Sequence, residues 1–239
     1  MPTSQNPRTN RLLAVLPEAE LRTLLPHFEL FKISLGEVLY EPGQPIRHVY
    51  FPTSAIVSIL YELKDGASAE IAIVGNEGVV GVSLFMGGTS SSSRAVVLSS
   101  GVCFRVKAAF FKTEFDHSLP LMHLLLRFTQ AYITQMSLTA VCNRHHSIDQ
   151  RLCRLLLLSL DRLISNQLVM TQDLIANLLG VRREGVSCEA LKLQNAGLIK
   201  YSRGRITVID RAGIEARSCE CYGVVKKEYD RLLPPIIAI

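Results

Sequence analysis

Residues 171–199 read TQDLIANLLGVRREGVSCEALKLQNAGLI, and this stretch decides the fold of the last third of the chain. Thr171 is placed to cap a first helix, with Leu174, Ile175 and Leu178 as its apolar face and Ala176 small where a second helix must cross closely. Gly180 follows where the chain must turn with little steric room. Val181, Val186, Ala190 and Leu193 continue as the inward face of a second helix. Residues 198–201 and 205–209 then flank a Ser-Arg-Gly turn at 202–204, which predicts a hairpin with an arginine at its tip. Two helices joined by a glycine turn and followed by such a hairpin make a winged helix-turn-helix.

A helix fits the major groove and reads base edges from its N-terminal residues, while basic side chains hold phosphates. On that logic Arg183 is expected on guanine, Glu184 on a cytosine amine or orienting an arginine, and Ser187 on a base or phosphate. Arg182, Lys200, Arg203 and Arg205 are expected on phosphates, and Thr171 and Gln172 complete the set of DNA contacts. Two features fit the pattern badly. Arg182 stands where a serine or threonine cap is usual, and Glu189 falls near the inward face, which requires either a partner for it or a shift of helical phase.

Charge agrees with this reading. Residues 1–143 hold 11 Lys+Arg and 11 Asp+Glu, whereas 144–239 hold 15 and 10, so the whole net charge of +5 lies in the C-terminal part. Residues 182–205 alone carry six basic side chains against two acidic ones, a local footprint for a polyanion.

Upstream, Ser147-Ile-Asp-Gln150 reads as a capping box that opens a helix, placing a domain boundary at Asn143-Arg144-His145-His146. Residues 118–142 form the longest helical pattern, with Ser118 as N-cap and Leu121, Leu125, Phe128, Tyr132, Thr139 and Cys142 along one face. Its other flank is also apolar (Leu124, Ile133, Met136, Leu138), so one face can pack on the protein and the other on a second chain. The residues expected to form a homodimer are thus 118–143. From about 30 to 110 the pattern becomes short β-branched runs (EVLY, HVYF, AIVSIL, EIAIV, RAVVL, VCFRV) punctuated by glycines, which predicts an antiparallel sandwich or barrel. GGTSSSS at 87–93 is expected to be a flexible loop inside it. Residues 10–27 predict a short helical entry, with Pro17 in its first turn and Pro26 closing it.

The class is therefore α+β, divided as a β-rich domain over 1–117, a dimerisation helix over 118–143 and a DNA-binding domain over 144–239. No signal peptide, membrane span or enzymatic motif (GxSxG, HExxH, P-loop, GxGxxG) is read, so a cytoplasmic, non-enzymatic protein is expected. The six cysteines show neither a CxxC pair nor zinc-ligand spacing, and are read as reduced thiols without a metal or other cofactor. His145 and His146 are read as an exposed hinge, because neighbouring positions on a helix do not face one ligand. Cys219-Glu-Cys221, placed on a helix, points its thiols to different sides and is read as packing, with redox sensing as the alternative.

The chain from about 10 to 232 resembles the Crp/Fnr family through GEVLYEPG at 36–43, Tyr50-Phe51, Asp65-Gly66, GVVG at 78–81 and the 171–209 unit. It is similar in particular to members with an Asn-Arg-x-His-Ser segment before the DNA-binding domain and Cys-Glu-Cys-Tyr after it. The resemblance implies that 1–117 is a β-roll sensor like that of cyclic-nucleotide-binding domains, and further implies a homodimer, an inverted-repeat operator on double-stranded DNA, base contacts from Arg183 and Glu184, and RNA polymerase as a partner where the regulator activates. The arginine that often follows one turn later is Cys188 here. The glutamate and the arginine that hold a cyclic nucleotide are replaced by Val82 and Ser91-Ser92, with Arg94 displaced. A buried phosphate without an arginine partner is costly, so tight cyclic AMP binding is not expected.

Overall fold

The computed structural model describes residues 5–163 and 165–233. The helical entry over 10–27 is broken in two: α1 (Arg11–Val15) and α2 (Glu18–Leu24) meet at Leu16-Pro17. Leu16 is extended, with ψ 139°, because the ring of a following proline disfavours helical backbone there. The expectation of Pro17 inside a first turn is corrected accordingly, since it is the residue before α2. Buried Asn10 fixes this entry to the sheet domain. Its Oδ1 accepts from the backbone of Leu12 at 3.1 Å, and its Nδ2 donates to the carbonyls of Pro52 and Gly78 at 2.9 and 2.8 Å.

Seven strands form the sensor domain: β1 (Glu29–Ile33), β2 (Val38–Tyr40), β3 (His48–Pro52), β4 (Ile56–Glu62), β5 (Ser68–Val74), β6 (Arg94–Ser99) and β7 (Gly101–Lys107). They pair antiparallel as two sheets, β1-β7-β3 and β2-β6-β4-β5. Six strands coincide with the β-branched runs; β1 lacks their signal because it is an edge strand with a single buried residue, Ile33. The loop over 87–93 is tied down: the amides of Gly43 and Ile46 donate to Ser91 and Thr89 carbonyls at 2.7 and 2.8 Å. Helices α3 (Val82–Phe85) and α4 (Ala108–His117) complete the domain.

The long helix α5 spans Leu119–His145, two residues beyond its expected end, and its length of about 40 Å follows from 1.5 Å per residue. Ser118 caps it, accepting from the Leu121 amide at 3.2 Å. Leu121, Leu125, Phe128, Tyr132, Thr139 and Cys142 are all buried, as their shared face requires. The chain turns at His146, and the Ser147/Gln150 capping box opens α6 (Ile148–Leu160), buried from Arg151 to Leu160.

The C-terminal elements are β8 (Gln167–Val169), α7 (Gln172–Leu179), α8 (Arg183–Asn195), β9 (Ile199–Ser202), β10 (Arg205–Val208), α9 (Arg211–Arg217) and α10 (Glu220–Leu232). The last of these returns to α5, where Tyr229 meets Phe128 edge-on at 6.3 Å. Buried charge crosses the junction between the two halves. Arg162, just after α6, donates to Glu77 at 2.7 Å, to the Gln135 side chain at 2.9 Å and to the Leu158 carbonyl at 2.6 Å. Among the described residues no helix is long and apolar enough to cross a membrane.

Candidate nucleic-acid interface

Thr171 caps α7 by accepting from the Leu174 amide at 3.1 Å, and Gly180 ends that helix in left-handed backbone at φ 62°. Only a glycine adopts that conformation without steric cost, so the helix-turn-helix bend is written in the sequence at this residue. The second helix, α8, buries Val186, Ala190 and Leu193. Gly185 lets it sit close on α6: a Cβ there would lie 2.9 Å from Ile148 Cδ1. Glu189, the misfit, is accommodated by pairing with Lys192 at 2.9 Å, so the helical phase stands. Arg182 is the residue before α8 and offers no side-chain cap. The Gly185 amide donates to the Arg182 carbonyl at 3.1 Å, which leaves the Arg183 and Glu184 amides for an external acceptor, as at other helix N-termini that hold anions.

The hairpin is closed by Arg203 and Gly204, with φ of 50° and 73°. Two successive positive φ values define a type I′ turn, which normally selects Asn-Gly. An arginine in that place carries a local conformational cost. Strand β8 adds a third member to the wing, in the order β8-β10-β9. The sequence reading missed it, although QLV alternates exposed, buried, exposed directly before Thr171. The Tyr201 hydroxyl donates to the Met170 carbonyl at 2.8 Å, and its amide donates to the Gln194 side chain at the same distance. These bonds lock the wing onto α8, and burial raises the Tyr201 hydroxyl pKa, keeping it a neutral donor.

Between the start of α7, the outer face of α8 and the wing lies a groove of about 570 Å³, lined by Thr171, Gln172, Arg183, Ser187, Arg203 and Gly204 among others. Ser187 donates to the Gln172 side chain at 2.6 Å, which joins the two helices inside the groove. Arg183 is exposed and lies 3.6 Å from Asp173, a residue the sequence reading did not single out. Glu184 is exposed beside it, and Arg182, Lys200, Arg203 and Arg205 are exposed too, Arg203 within the groove lining and the other three outside it. None of these four cations has an ion-pair partner among the described residues, whereas the arginines of the sensor domain at 94 and 105 are paired with Glu41 and Glu29 at 3.0 and 2.8 Å. The interior of the sensor domain offers a different surface. A cavity of about 440 Å³ is bounded by Tyr40, Tyr61, Val82, Ser91, Ser92 and Tyr132 among others, and among the described residues no charged one lines it. Arg94 is directed instead to Glu41 and Glu62, and burial pushes the Tyr40 hydroxyl up to about 12.

The expectation of scattered cysteines is corrected. Cys142, His146, Cys219 and Cys221 bring their donor atoms within 4.8 Å of one another. Cys142 lies four residues before His146, on the side the sequence reading did not inspect. Cys219 is the extended N-cap of α10 rather than a helical residue, so it and Cys221 face the same way.

A winged helix-turn-helix with exposed, unpaired cations, joined by a long helix to a two-sheet roll, defines the class of DNA-binding transcription regulators. The comparisons carry this to a family. The cyclic nucleotide-binding domain matches residues 30–118, and the Crp-like helix-turn-helix domain matches residues 150–217. The chain belongs to the Crp/Fnr family of transcriptional regulators. Its fold is that of FixK2 from Bradyrhizobium japonicum (18% identity, TM-score 0.66, covering 80% of this chain and 98% of that one). It is also that of a CRP-family regulator from Thermus thermophilus (18%, 0.67, 79% and 96%) and of the c-di-GMP responsive global regulator CLP of Xanthomonas campestris (18%, 0.62, 80% and 99%). No curated protein matches the sequence.

Proposed function

We propose that this regulator acts as a homodimer on an inverted-repeat operator, by binding rather than by catalysis, in the cytoplasm and without cyclic AMP. The observation that carries the reading is the uncapped start of α8 in a groove shared by Arg183 and Arg203, with Arg182, Lys200 and Arg205 exposed and without ion-pair partners among the described residues. Arg183 and Glu184 read base edges there, with Ser187, Thr171 and Gln172 supporting them. Arg182, Lys200, Arg203 and Arg205 hold phosphates. Dimerisation is supported by the exposed stripe of α5: Leu119, Leu126 and Ile133 recur every seven residues and are 61%, 48% and 48% exposed, the spacing of a helix-pairing seam. Two protomers joined there would present their recognition helices about 34 Å apart, one turn of DNA.

Selection of bound duplexes from random DNA by the effector-free protein, with affinity followed across a salt series, tests the reading. An inverted repeat with a steep salt dependence is expected; only weak, sequence-blind binding refutes effector-independent recognition. Independence from cyclic AMP is supported by the uncharged cavity lining, and calorimetric titration giving submicromolar affinity overturns it. The cavity also favours a second reading, in which an uncharged effector gates DNA binding. It touches Tyr132, Ile133 and Met136 of α5, so an occupant bears directly on the helix that joins the protomers. RNA polymerase is a partner in either reading if the operator lies at an activated promoter, and a ternary complex on promoter DNA checks it.

A further inference from the structure

We propose that Cys142, His146, Cys219 and Cys221 form a structural zinc site that clamps the end of the long helix to the last helix of the chain. Cys142 and His146 stand four residues apart at the end of α5 and so share one helix face, with His146 as its C-cap. Cys219 as N-cap and Cys221 in the first turn of α10 oppose them. The Cys142 and Cys219 sulfurs are 3.5 Å apart, and the Cys221 sulfur is 3.8 Å from His146 Nδ1.

Those two separations match the edges of a small tetrahedron, and all four donor atoms lie within 4.8 Å of one another. Zinc–sulfur bonds of about 2.3 Å require ligand atoms about 3.8 Å apart, close to both distances. A single ion fits this span, whereas an iron–sulfur cluster interposes several iron and sulfide atoms and needs its cysteines farther apart. Three thiolates and one imidazole are soft, tetrahedral zinc donors, and four protein ligands close the site, as in structural rather than catalytic centres.

Two further observations point to a metal rather than to packing. The three cysteines are buried but lie outside the main hydrophobic core, forming a separate cluster against which only Leu138 packs among the described apolar residues. Thiols that served as small apolar groups would be surrounded by such residues. The second observation is the far side of His146, where Nε2 lies 3.4 Å from a Glu220 carboxylate oxygen. A metal-bound histidine characteristically gives its other ring N–H to a carboxylate, which fixes the tautomer. Here Nδ1 is left facing the three sulfurs. On binding, the zinc ion displaces the three thiol protons to solvent and meets neutral imidazole, giving a site of net charge −1.

The test uses the full-length chain purified under reducing conditions, with Zn²⁺ and Co²⁺ as probes. One zinc per chain by elemental analysis is expected, with loss of reactivity of three thiols when zinc is bound. Co²⁺ in place of zinc is expected to give the intense visible bands of a tetrahedral thiolate site. Cys219→Ser and His146→Ala lose the metal, Cys188→Ser on the exposed face of α8 retains it, and Glu220→Gln weakens zinc binding about 10–100-fold. Because the cysteine variants can fail to fold, the cobalt spectrum of the unaltered chain decides independently. Absence of tetrahedral bands, equal thiol reactivity with and without zinc, or a Cys142–Cys219 disulfide in protein kept reduced overturns the proposal.

Discussion

Replacing Arg203 by asparagine separates the two things this residue does. Asparagine tolerates the left-handed backbone that the wing turn imposes, so the hairpin persists while its charge goes. Four exposed cations in each protomer (Arg182, Lys200, Arg203, Arg205) give eight phosphate contacts in a dimer. The logarithm of affinity then falls with the logarithm of salt concentration with a slope of about −7. Removing two contacts brings the slope to about −5.4. A fourfold rise in salt should therefore weaken the unaltered protein about 20,000-fold and the Arg203→Asn variant about 2,000-fold.

Fluorescence anisotropy on a labelled operator, titrated at four or more salt concentrations, reads both slopes directly. Penalties for single base-pair changes in the operator should be the same in both proteins, because phosphate contacts carry no sequence information. The thermal midpoint should be unchanged or slightly raised. An unchanged salt slope, or a loss confined to one base-pair position, would refute the assignment of Arg203 to the DNA backbone.

Other consequences are equally direct. Arg183→Ala should cost about 1–3 kcal/mol on the preferred operator and relax selection at one base pair, read by repeating the selection with the variant. Asp173→Asn frees Arg183 from the carboxylate 3.6 Å away, and should strengthen operator binding severalfold at low salt with a smaller gain at high salt. Ile133→Glu introduces like charges into the exposed stripe of α5, and sedimentation should show a monomer that binds half-sites only weakly. Glu70, partly buried and accepting a 2.6 Å hydrogen bond from Ser58, has its carboxyl pushed by burial up to about 7. The folded state thus holds a proton that the unfolded chain releases near 4.5. Its contribution, up to about 3 kcal/mol, is present below that value and lost as pH rises through about 7. Denaturant midpoints followed over that range should fall, and Glu70→Gln should remove that part of the dependence.

The sequence was most legible where backbone conformation and periodicity coincide. Gly180, the Ser147/Gln150 box and the Arg203-Gly204 turn each specify a local geometry that few residues allow, and the helix-turn-helix follows from them. Legibility was poorer where a role depends on partners distant in sequence. Asp173 is an ordinary first-turn acid until α8 brings Arg183 to it. Cys219 was read with helical periodicity, and one residue of extended backbone at the N-cap reverses where its thiol points. Glu77 and Arg162 are 85 residues apart, and no spacing rule pairs them.

The arrangement of buried charge at the junction bears on how the two halves communicate. Arg162 links Glu77 of the sensor domain to Gln135 of α5, and Arg154 of α6 donates to Thr139 of α5 at 2.9 Å. Arg151 of the same helix donates to the Leu179 carbonyl at the end of α7. Arg162–Glu77 is the ion pair among these contacts, and breaking it would strand a buried charge at a cost of about 3–5 kcal/mol. A movement of α5 that keeps this pair satisfied would either carry Arg162 and Glu77 with it or re-pair them in a second arrangement. Discrete alternatives of this kind are what a regulatory switch requires. The sulfur and imidazole cluster at the end of α5 sits beside this network and restrains the same helix.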